Sequence, residues 1–291
     1  MVQDEPYLET APPEFYRGRF APSPTGPLHF GSLVSALGSY LDAKSLGGEW
    51  LVRIEDLDQD RNQPGADSEI LRCLEGFGLW WDGEVVYQTH RQELYEFAFE
   101  SLRQMGLVYP CGCTRSEAAS TYSGRCRAGL GNGKKERSFR YKINESIVIF
   151  NDFIQGKISQ DPAFGSGDFV VKRADGPFAY QLAVVVDDYH QGMTRIVRGV
   201  DLMESTPRQI LLQRSLGYPQ IQYAHLPIAR NANGEKLSKQ TRAPAVMPNP
   251  DTLLAALEFL GLESPPAEEK NITEIIKFSI QHFDVKRISK K

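Results

Sequence analysis

The fold is decided by residues 15–54, FYRGRFAPSPTGPLHFGSLVSALGSYLDAKSLGGEWLVRI. A short strand is predicted over Phe15–Phe20, and a loop rich in Pro and Gly follows it. From Leu28 to Leu46 apolar residues recur at the spacing of one helix face, and a second strand is predicted over Trp50–Ile54. Strand, loop, helix and strand make a βαβ unit, which predicts a parallel sheet with its ligand site at the carboxyl ends of the strands.

The rest of the chain continues this α/β pattern. Helices are predicted from Asp67 to Phe77, Thr89 to Met105, Glu204 to Leu216, Asp251 to Gly261 and Thr273 to Phe283. Strands are predicted over Phe169–Arg173 and Phe178–Val186, paired around a turn at residues 174–176, and over Thr194–Val200.

Composition indicates a soluble protein that works away from membranes. Of its 291 residues 41% are hydrophobic and 24% charged, and no apolar run reaches the ~18 residues that span a bilayer. Because the acidic start, Met1 to Pro6, lacks the apolar core of a signal peptide, a cytoplasmic protein is expected. The formal charge of -4 means that a nucleic-acid partner must be held by local basic patches.

The loop at residues 21–31, APSPTGPLHFG, has the features of a phosphate-binding turn. It precedes a predicted helix, whose first N–H groups and dipole attract anions. Gly26 and Gly31 let the backbone approach a ligand closely. His29 can donate a hydrogen bond to phosphate oxygens as charge builds on them. A proline-rich turn with a capping histidine is the alternative interpretation of this loop alone.

A second, basic loop stands far downstream at residues 236–240, KLSKQ, after the turn sequence NANG. Lys236 and Lys239 flank Ser238, so the loop can neutralise a pyrophosphate leaving group and close over it. Taken alone, the loop fits a charged surface turn better than a catalytic one. The combination of a βαβ phosphate loop and a distant lysine loop resembles the paired motifs of class I aminoacyl-tRNA synthetases.

Four further segments resemble the glutamyl-tRNA synthetase group within that class. They are RGRFAPSPTG at 17–26, RIEDLD at 53–58, YQLAVVVDD at 180–188 and VRGVDL at 197–202. Two positions depart from the family pattern: Ser32 stands where many class I enzymes have a second histidine, and Gln240 where the second motif usually ends in serine. The resemblance implies a Rossmann-type nucleotide-binding domain, with His29 and Lys239 as the catalytic pair and Gly31, Lys236 and Ser238 as further ATP contacts.

By that resemblance the amino-acid substrate is L-glutamate, and the chemistry of the residues agrees. Two carboxylates and one ammonium call for cationic forks and one anion, which Arg19, Arg198 and Glu55 supply. Tyr180 can bond the side-chain carboxylate, and Ala21 and Ser23 line the loop. The alternatives are that Glu55 only pairs with Arg53 and that Tyr180 is a core aromatic residue.

Three of the four cysteines fall within 16 residues, at Cys111, Cys113 and Cys126. Soft ligands clustered in a cytosolic chain favour a closed tetrahedral zinc site over a disulfide. The fourth ligand is not a cysteine or histidine. Tyr122 is an oxygen donor four residues before Cys126, and the resemblance supports it as a ligand. A site reduced to free thiols remains the alternative.

The stretch after the second motif is short, spanning only residues 242–291, with basic residues at its tip. In this it resembles the glutamyl-queuosine tRNA(Asp) synthetases. The resemblance implies ATP-dependent, tRNA-independent activation of glutamate, with Mg²⁺ accompanying ATP. Transfer then goes to the queuosine base in the anticodon loop of tRNA(Asp), whose diol resembles a ribose cis-diol. A monomer is expected, with one structural zinc ion.

The domains are expected to divide as follows: an N-terminal arm at 1–14; the first half of the catalytic domain at 15–106; the zinc-binding part of an inserted acceptor-binding-like subdomain at 107–135; the rest of the insertion and the second catalytic half at 136–241; and a small C-terminal helical region at 242–291. Two other functions stay open. One is a minimal glutamyl-tRNA synthetase that charges the 3′ end of tRNA(Glu), and the other is a non-catalytic synthetase-like RNA-binding module.

Overall fold

The computed structural model describes residues 15–118, 121–229, 244–266 and 268–290. In these ranges the helices are α1 (Phe30–Ser45), α2 (Ala66–Gly76), α3 (Gln92–Gln104), α4 (Tyr180–His190), α5 (Thr206–Leu216), α6 (Pro250–Leu260) and α7 (Ile272–His282). The strands are β1 (Arg17–Phe20), β2 (Glu49–Ile54), β3 (Val86–Tyr87), β4 (Val108–Cys111), β5 (Ser138–Tyr141), β6 (Val148–Asp152), β7 (Gly156–Gln160), β8 (Val170–Lys172), β9 (Arg195–Gly199) and β10 (Gln222–Leu226).

Parallel strands form the centre of the molecule, as the βαβ pattern predicts. Strand β2 pairs in parallel with both β1 and β3, and β10 pairs in parallel with β9 and β6. The two groups meet where the Thr194 N–H, just before β9, donates to the Arg17 carbonyl at 2.9 Å. The carboxyl ends of β1, β2 and β9 therefore open on the same side.

Helix α1 confirms the predicted βαβ unit and packs closely on the sheet. His29 is its N-cap residue, and its side chain accepts a hydrogen bond from the Ser32 N–H. A Cβ atom at Gly38 would lie 2.8 Å from a methyl carbon of Leu226, so glycine lets the helix approach β10. This packing fixes the position of the loop at residues 21–29 relative to the strand ends.

Residues 178–186 were predicted as a strand, and that prediction is wrong. The chain forms helix α4 from Tyr180 onward, and only a single bridge between Lys172 and Phe178 remains of the expected hairpin. The residues from Leu182 to Asp188 are all buried. A helix enclosed on all sides shows no amphipathic period, so its valine run looks like a buried strand in the sequence.

A separate antiparallel sheet follows α3 in the order β4-β5-β8. It carries the cysteine-containing stretch, where a small buried cluster contains Tyr109, Tyr122 and the three cysteines.

Strands β3 to β7 and β10 were not predicted from the sequence. The C-terminal helices α6 and α7 contribute to the same core as α1, β1 and β2. None of the helices in the described ranges is long and apolar enough to cross a membrane.

Candidate functional site

A cavity of about 430 Å³ opens at the carboxyl ends of β1, β2 and β9. All the described residues for which the sequence predicts contact with glutamate or ATP line it: Arg19, Ala21, Ser23, His29, Gly31, Glu55, Tyr180 and Arg198. They come from β1, the first loop, the start of α1, the residue after β2, the start of α4 and β9. Positions up to 179 residues apart in sequence thus meet because parallel strands end at one edge.

The first loop places the N-terminus of α1 at the cavity. Gly26 has φ +134, a conformation that glycine adopts without strain. The His29 ring lies within hydrogen-bond distance of Ser32, with 3.0 Å between Nε2 and the hydroxyl oxygen. Ser32, which replaces the second histidine of the family pattern, therefore positions the first. Helix N–H groups and an imidazole at one wall make this end of the cavity suited to an anion.

Arg19 is held by an acidic residue for which the sequence suggested no role. Its Nε and Nη2 atoms each donate to one carboxylate oxygen of Asp188 at 3.2 Å, and both side chains are buried. The two parallel hydrogen bonds fix the plane of the guanidinium group. Burial alone would raise the pKa of Asp188, but Arg19 and Arg53 lower it below its usual range.

Glu55 lies at the end of β2, where it lines the cavity and also accepts a hydrogen bond from Arg53 at 3.2 Å. The side chain is 10% exposed. Burial raises its pKa above the ordinary value, and this effect outweighs the opposing charges of Arg53 and Arg19. Pairing with Arg53, the alternative considered for Glu55, is therefore real, and it leaves the carboxylate at the cavity wall.

Arg198 and Tyr180 line another part of the cavity wall. The Tyr180 hydroxyl lies 3.5 Å from Arg198 Nη1, and the Arg198 Nη2 donates to Thr206 Oγ1 at 2.8 Å. The Arg198 Nε lies 3.3 Å from His225 Nε2. Tyr180 is thus part of the cavity rather than only a core aromatic residue. The sequence suggested no role for Thr206 or His225, because they become neighbours of Arg198 only through the folding of α5 and β10.

The second motif, including Lys236, Ser238, Lys239 and Gln240, lies outside the described residues. The described residues on either side of it are close to the first loop. Ala229 lines the cavity, and Ala245 pairs with His29 in an antiparallel bridge.

The cysteine cluster is a candidate metal centre. The sulfur atoms of Cys111, Cys113 and Cys126 are buried and lie within 4.8 Å of one another. The Tyr122 hydroxyl lies 3.4 Å from Cys111 Sγ and accepts a hydrogen bond from the Cys126 N–H at 3.0 Å. Three sulfurs and one phenol oxygen thus come together, which fits the donor set of a closed tetrahedral site.

Positive charge beside the cluster favours thiolate. The Arg140 guanidinium lies 4.0 Å from the centre of the Tyr122 ring. Burial opposes ionisation of Cys111, but hydrogen bonds from Tyr122 and the backbone together with Arg140 lower the pKa of this thiol to about 7. Thiolate is the form that binds a metal.

Known proteins are similar to this chain in both sequence and fold. The family model for tRNA synthetases class I (E and Q), catalytic domain, matches residues 16–290. Two similar relatives are each named glutamyl-Q tRNA(Asp) synthetase. The one from Dechloromonas aromatica is 55% identical over 87% of this chain and 88% of its own length. The one from Chromobacterium violaceum is 50% identical over 94% and 95%.

Among solved structures, the glutamate-tRNA synthetase of Elizabethkingia anophelis is similar with a TM-score of 0.80 and 27% identity. The match covers 96% of this chain and 67% of that one.

Proposed function

Since the chain belongs to the class I tRNA synthetase (E and Q) family, we propose that it is a ligase that activates L-glutamate with ATP. Like the relatives named glutamyl-Q tRNA(Asp) synthetase, it would then transfer glutamate to the queuosine base in the anticodon loop of tRNA(Asp). The observation that carries the proposal is the convergence of Arg19, Glu55, Tyr180 and Arg198 beside His29 in one cavity.

The proposed pose of glutamate follows from charge. The substrate ammonium binds the Glu55 carboxylate, and the side-chain carboxylate binds between Arg198 and Tyr180. Arg19, fixed by Asp188, faces the remaining carboxylate with the donors that Asp188 leaves unused. Each charged group of the amino acid then has a partner of opposite charge or a hydrogen-bond donor.

Activation needs positioning and electrostatics but no enzyme nucleophile. An oxygen of the glutamate α-carboxylate attacks the α-phosphorus of ATP, and the bond to pyrophosphate breaks, which leaves glutamyl-adenylate. His29 and the helix N–H groups near Gly31 stabilise the phosphate oxygens, and Lys236, Ser238 and Lys239 act on the leaving group. Mg²⁺ bound to ATP supplies further neutralisation of the triphosphate. A queuosine hydroxyl then attacks the acyl carbon, and AMP departs.

We also propose one structural zinc ion held by Cys111, Cys113, Cys126 and Tyr122. A purified preparation should contain about one zinc per chain, and Cys126→Ser should lose it. Tyr122→Phe, which removes only the oxygen, should bind zinc more weakly and leave the fold intact. A purified protein that contains no zinc, or one whose stability does not change after exhaustive chelation, would favour free thiols.

The partners proposed for the reaction are ATP, L-glutamate and tRNA(Asp) carrying queuosine. We further propose that the protein works as a monomer in the cytoplasm, where these partners occur together.

The function is tested by incubating the protein with labelled glutamate, ATP and each of three RNAs. These are tRNA(Asp) with queuosine, the same tRNA without it, and tRNA(Glu). Only the first should be labelled. Labelling of tRNA(Glu) supports the minimal glutamyl-tRNA synthetase instead. Glutamate-dependent exchange of pyrophosphate into ATP without any RNA separates an enzyme from a non-catalytic module, because the module would show none.

A further inference from the structure

The two arginines at the cavity differ in their partners: Arg19 bonds a carboxylate, whereas Arg198 bonds neutral groups. Arg19 forms an ion pair with Asp188 through two hydrogen bonds. Arg198 is only 4% exposed, and its hydrogen-bond partners in the described ranges, His225, Thr206 and Tyr180, are neutral groups. In the part of the chain that the structure describes, no carboxylate forms an ion pair with Arg198. A buried cation without a counter-ion is costly unless a ligand supplies the anion.

His225 presents a neutral ring nitrogen, Nε2, to Arg198 because of the hydrogen bond that Nδ1 makes. His225 Nδ1 lies 2.6 Å from Asp152 Oδ2, so Nδ1 carries the hydrogen and Nε2 presents its lone pair. Nε2 lies 3.3 Å from Arg198 Nε and 3.0 Å from Thr206 Oγ1. Burial lowers the pKa of His225 despite the opposing effect of Asp152, so the ring is neutral at pH 7.

Joining strands β6 and β10 explains only some of the hydrogen bonds that Asp152 and His225 make. Asp152, at the end of β6, accepts backbone hydrogen bonds from Ile154, Gln155 and His225. The bonds from the His225 N–H and Nδ1 tie β6 to β10, while those from Ile154 and Gln155 close the turn after β6. The Nε2 contacts add nothing to that connection, because they point to Arg198 on β9 and Thr206 on α5.

We propose that His225, oriented by Asp152, is a positioning residue that holds Arg198 with an uncharged acceptor and so keeps its positive charge for the side-chain carboxylate of the substrate. The inference rests on the proposed function and deepens it, because it assigns the preference for glutamate over glutamine to this group. Glutamine offers the same shape with a neutral amide, which cannot supply the anion that Arg198 lacks.

Two substitutions separate this role from a structural one. In His225→Gln the side-chain oxygen reaches the place of Nε2 and can accept from Arg198, and Asp152 keeps its three backbone donors. In His225→Asn the shorter amide reaches only the place of Nδ1, so Arg198 loses its acceptor. Both variants replace the imidazole ring with a buried amide, so they differ from each other only in side-chain length.

The measurement is glutamate-dependent exchange of pyrophosphate into ATP, with glutamine as a competitive inhibitor. For His225→Asn we expect the KM for glutamate to rise about tenfold or more. The KM for ATP should stay unchanged within about twofold, and the ratio of the glutamine inhibition constant to the glutamate KM should fall. His225→Gln should remain within about threefold of the wild type in all three quantities.

Equal effects of the two substitutions, or a parallel rise in the KM for ATP, would overturn the positioning role. A wild-type protein without glutamate-dependent exchange would refute the proposed function and this inference with it. Exchange in the wild type that is unaltered in His225→Asn would refute the inference alone. If His225→Asn does not fold, Thr206→Val and Thr206→Ser make the same comparison at Arg198 Nη2. Valine should raise the glutamate KM and serine should not, and equal values would count against the proposal.

Discussion

Arg53 connects the buried charges behind the cavity. It is fully buried, and it contacts Asp188 at 2.8 Å, Glu55 at 3.2 Å and Asp187 at 3.6 Å. Burial alone would lower the pKa of Arg53, yet the three carboxylates raise it well above its ordinary value. Asp188 in turn holds Arg19. Removing Arg53 from this cluster would leave buried carboxylates without their shared cation, which costs about 3–5 kcal/mol.

Glu55→Gln tests the proposed ammonium contact. A neutral amide cannot pair with the substrate ammonium, so the KM for glutamate should rise about 10- to 100-fold, as expected for a hydrogen bond between charged groups. The fold should persist, because Arg53 keeps Asp187 and Asp188 as partners. Exchange kinetics and thermal unfolding measure the two effects, and an unchanged glutamate KM would rule out the contact.

The pH dependence of the same group has a defined sign. Because burial raises the pKa of Glu55, the carboxyl becomes protonated at a higher pH than an exposed glutamate does. Glutamate binding should weaken as the pH falls through that raised value, and the Gln variant should lack this dependence. A glutamate KM with the same low-pH rise in both proteins would assign it to another group.

At the scale of single residues, the sequence predicted the chemical types at the site but not their supports. Arg19, Glu55 and Arg198 were assigned from the family resemblance, with which the charges of glutamate agree. Asp188 and His225 had no such signal, since a carboxylate or imidazole that orients an arginine is recognised only by its distance from it. The roles of Lys236 and Lys239 remain predictions.

Among the elements, the turn from α1 to β2 shows why a Gly-Gly pair ends the helix. The Gly47 and Gly48 N–H groups bond to the carbonyls of Lys44 and Ala43, and Gly47 has φ +65. This is a Schellman motif. The sequence predicted a helical pattern that ends at Leu46, but only the neighbouring strand shows that Gly48, unlike Gly47, must leave room for Tyr16.

Gly48→Ala should destabilise the protein by about 1–3 kcal/mol. A Cβ atom there would lie 2.4 Å from the Tyr16 carbonyl oxygen, so β1 and β2 would have to separate at their start. Gly131→Ala is the matched control, because nothing lies within 4 Å of its Cβ position. The control should stay within about 0.5 kcal/mol of the wild type in denaturant unfolding. Equal stability of both variants would contradict the close approach.

Helix α4 shows the limit of pattern at this scale. Its valines favour a strand by propensity, and burial on every side removes the helical period that would have corrected the prediction. The helix matters to the site because Tyr180 begins it and Asp188 lies two turns further on. A strand over the same residues would not bring both to the cavity from one rigid element.

Across the whole molecule, charge is unevenly distributed. The chain carries 33 basic and 37 acidic residues, yet residues 107–142 contain eight basic and only two acidic ones. Arg115, Arg125, Lys135 and Arg137 are exposed, and none forms an ion pair with a carboxylate in the described ranges. A local basic face on an acidic protein is suited to the phosphates of a tRNA.

Reversing charge on this face should weaken use of tRNA and leave activation unchanged. For Arg125→Glu, Lys135→Glu and Arg137→Glu we expect a higher KM for tRNA and a salt dependence that is smaller by about one per lost phosphate contact. Exchange without RNA should match the wild type. Arg72→Glu, at an exposed arginine on α2, is the control. Equal effects at Arg72 would indicate a general charge effect rather than a docking face.

The C-terminal helices α6 and α7 pack into the same hydrophobic core as α1, β1 and β2 rather than forming a separate unit. Leu257 and Leu260 are fully buried in the cluster that also contains Leu33, Leu37 and Trp50. The sequence predicted both helices within a small C-terminal helical region at 242–291 but did not indicate what they pack against. Only their packing against α1 shows that they complete the core beneath the first loop.

Leu257→Ala should therefore destabilise the catalytic core itself, by about 2–5 kcal/mol. Unfolding followed by fluorescence, to which the buried Trp50 contributes, should shift as one transition to lower denaturant. Glu258→Ala, an exposed neighbour on α6, should change stability by less than about 0.5 kcal/mol. A fluorescence transition that does not move in Leu257→Ala would mean that the helices unfold independently.

By itself the sequence determined the βαβ unit, the loop with His29 and the cysteine cluster. These follow from local periodicity, turn chemistry and residue type, which are present in any short stretch of chain. Only the tertiary structure decided that α4 is a helix, that Asp188 orients Arg19, and that the hydrogen-bond partners of Arg198 among the described residues are neutral. Those facts depend on distances between residues far apart in the chain, and burial changes the energy of a charge in ways that no local pattern records.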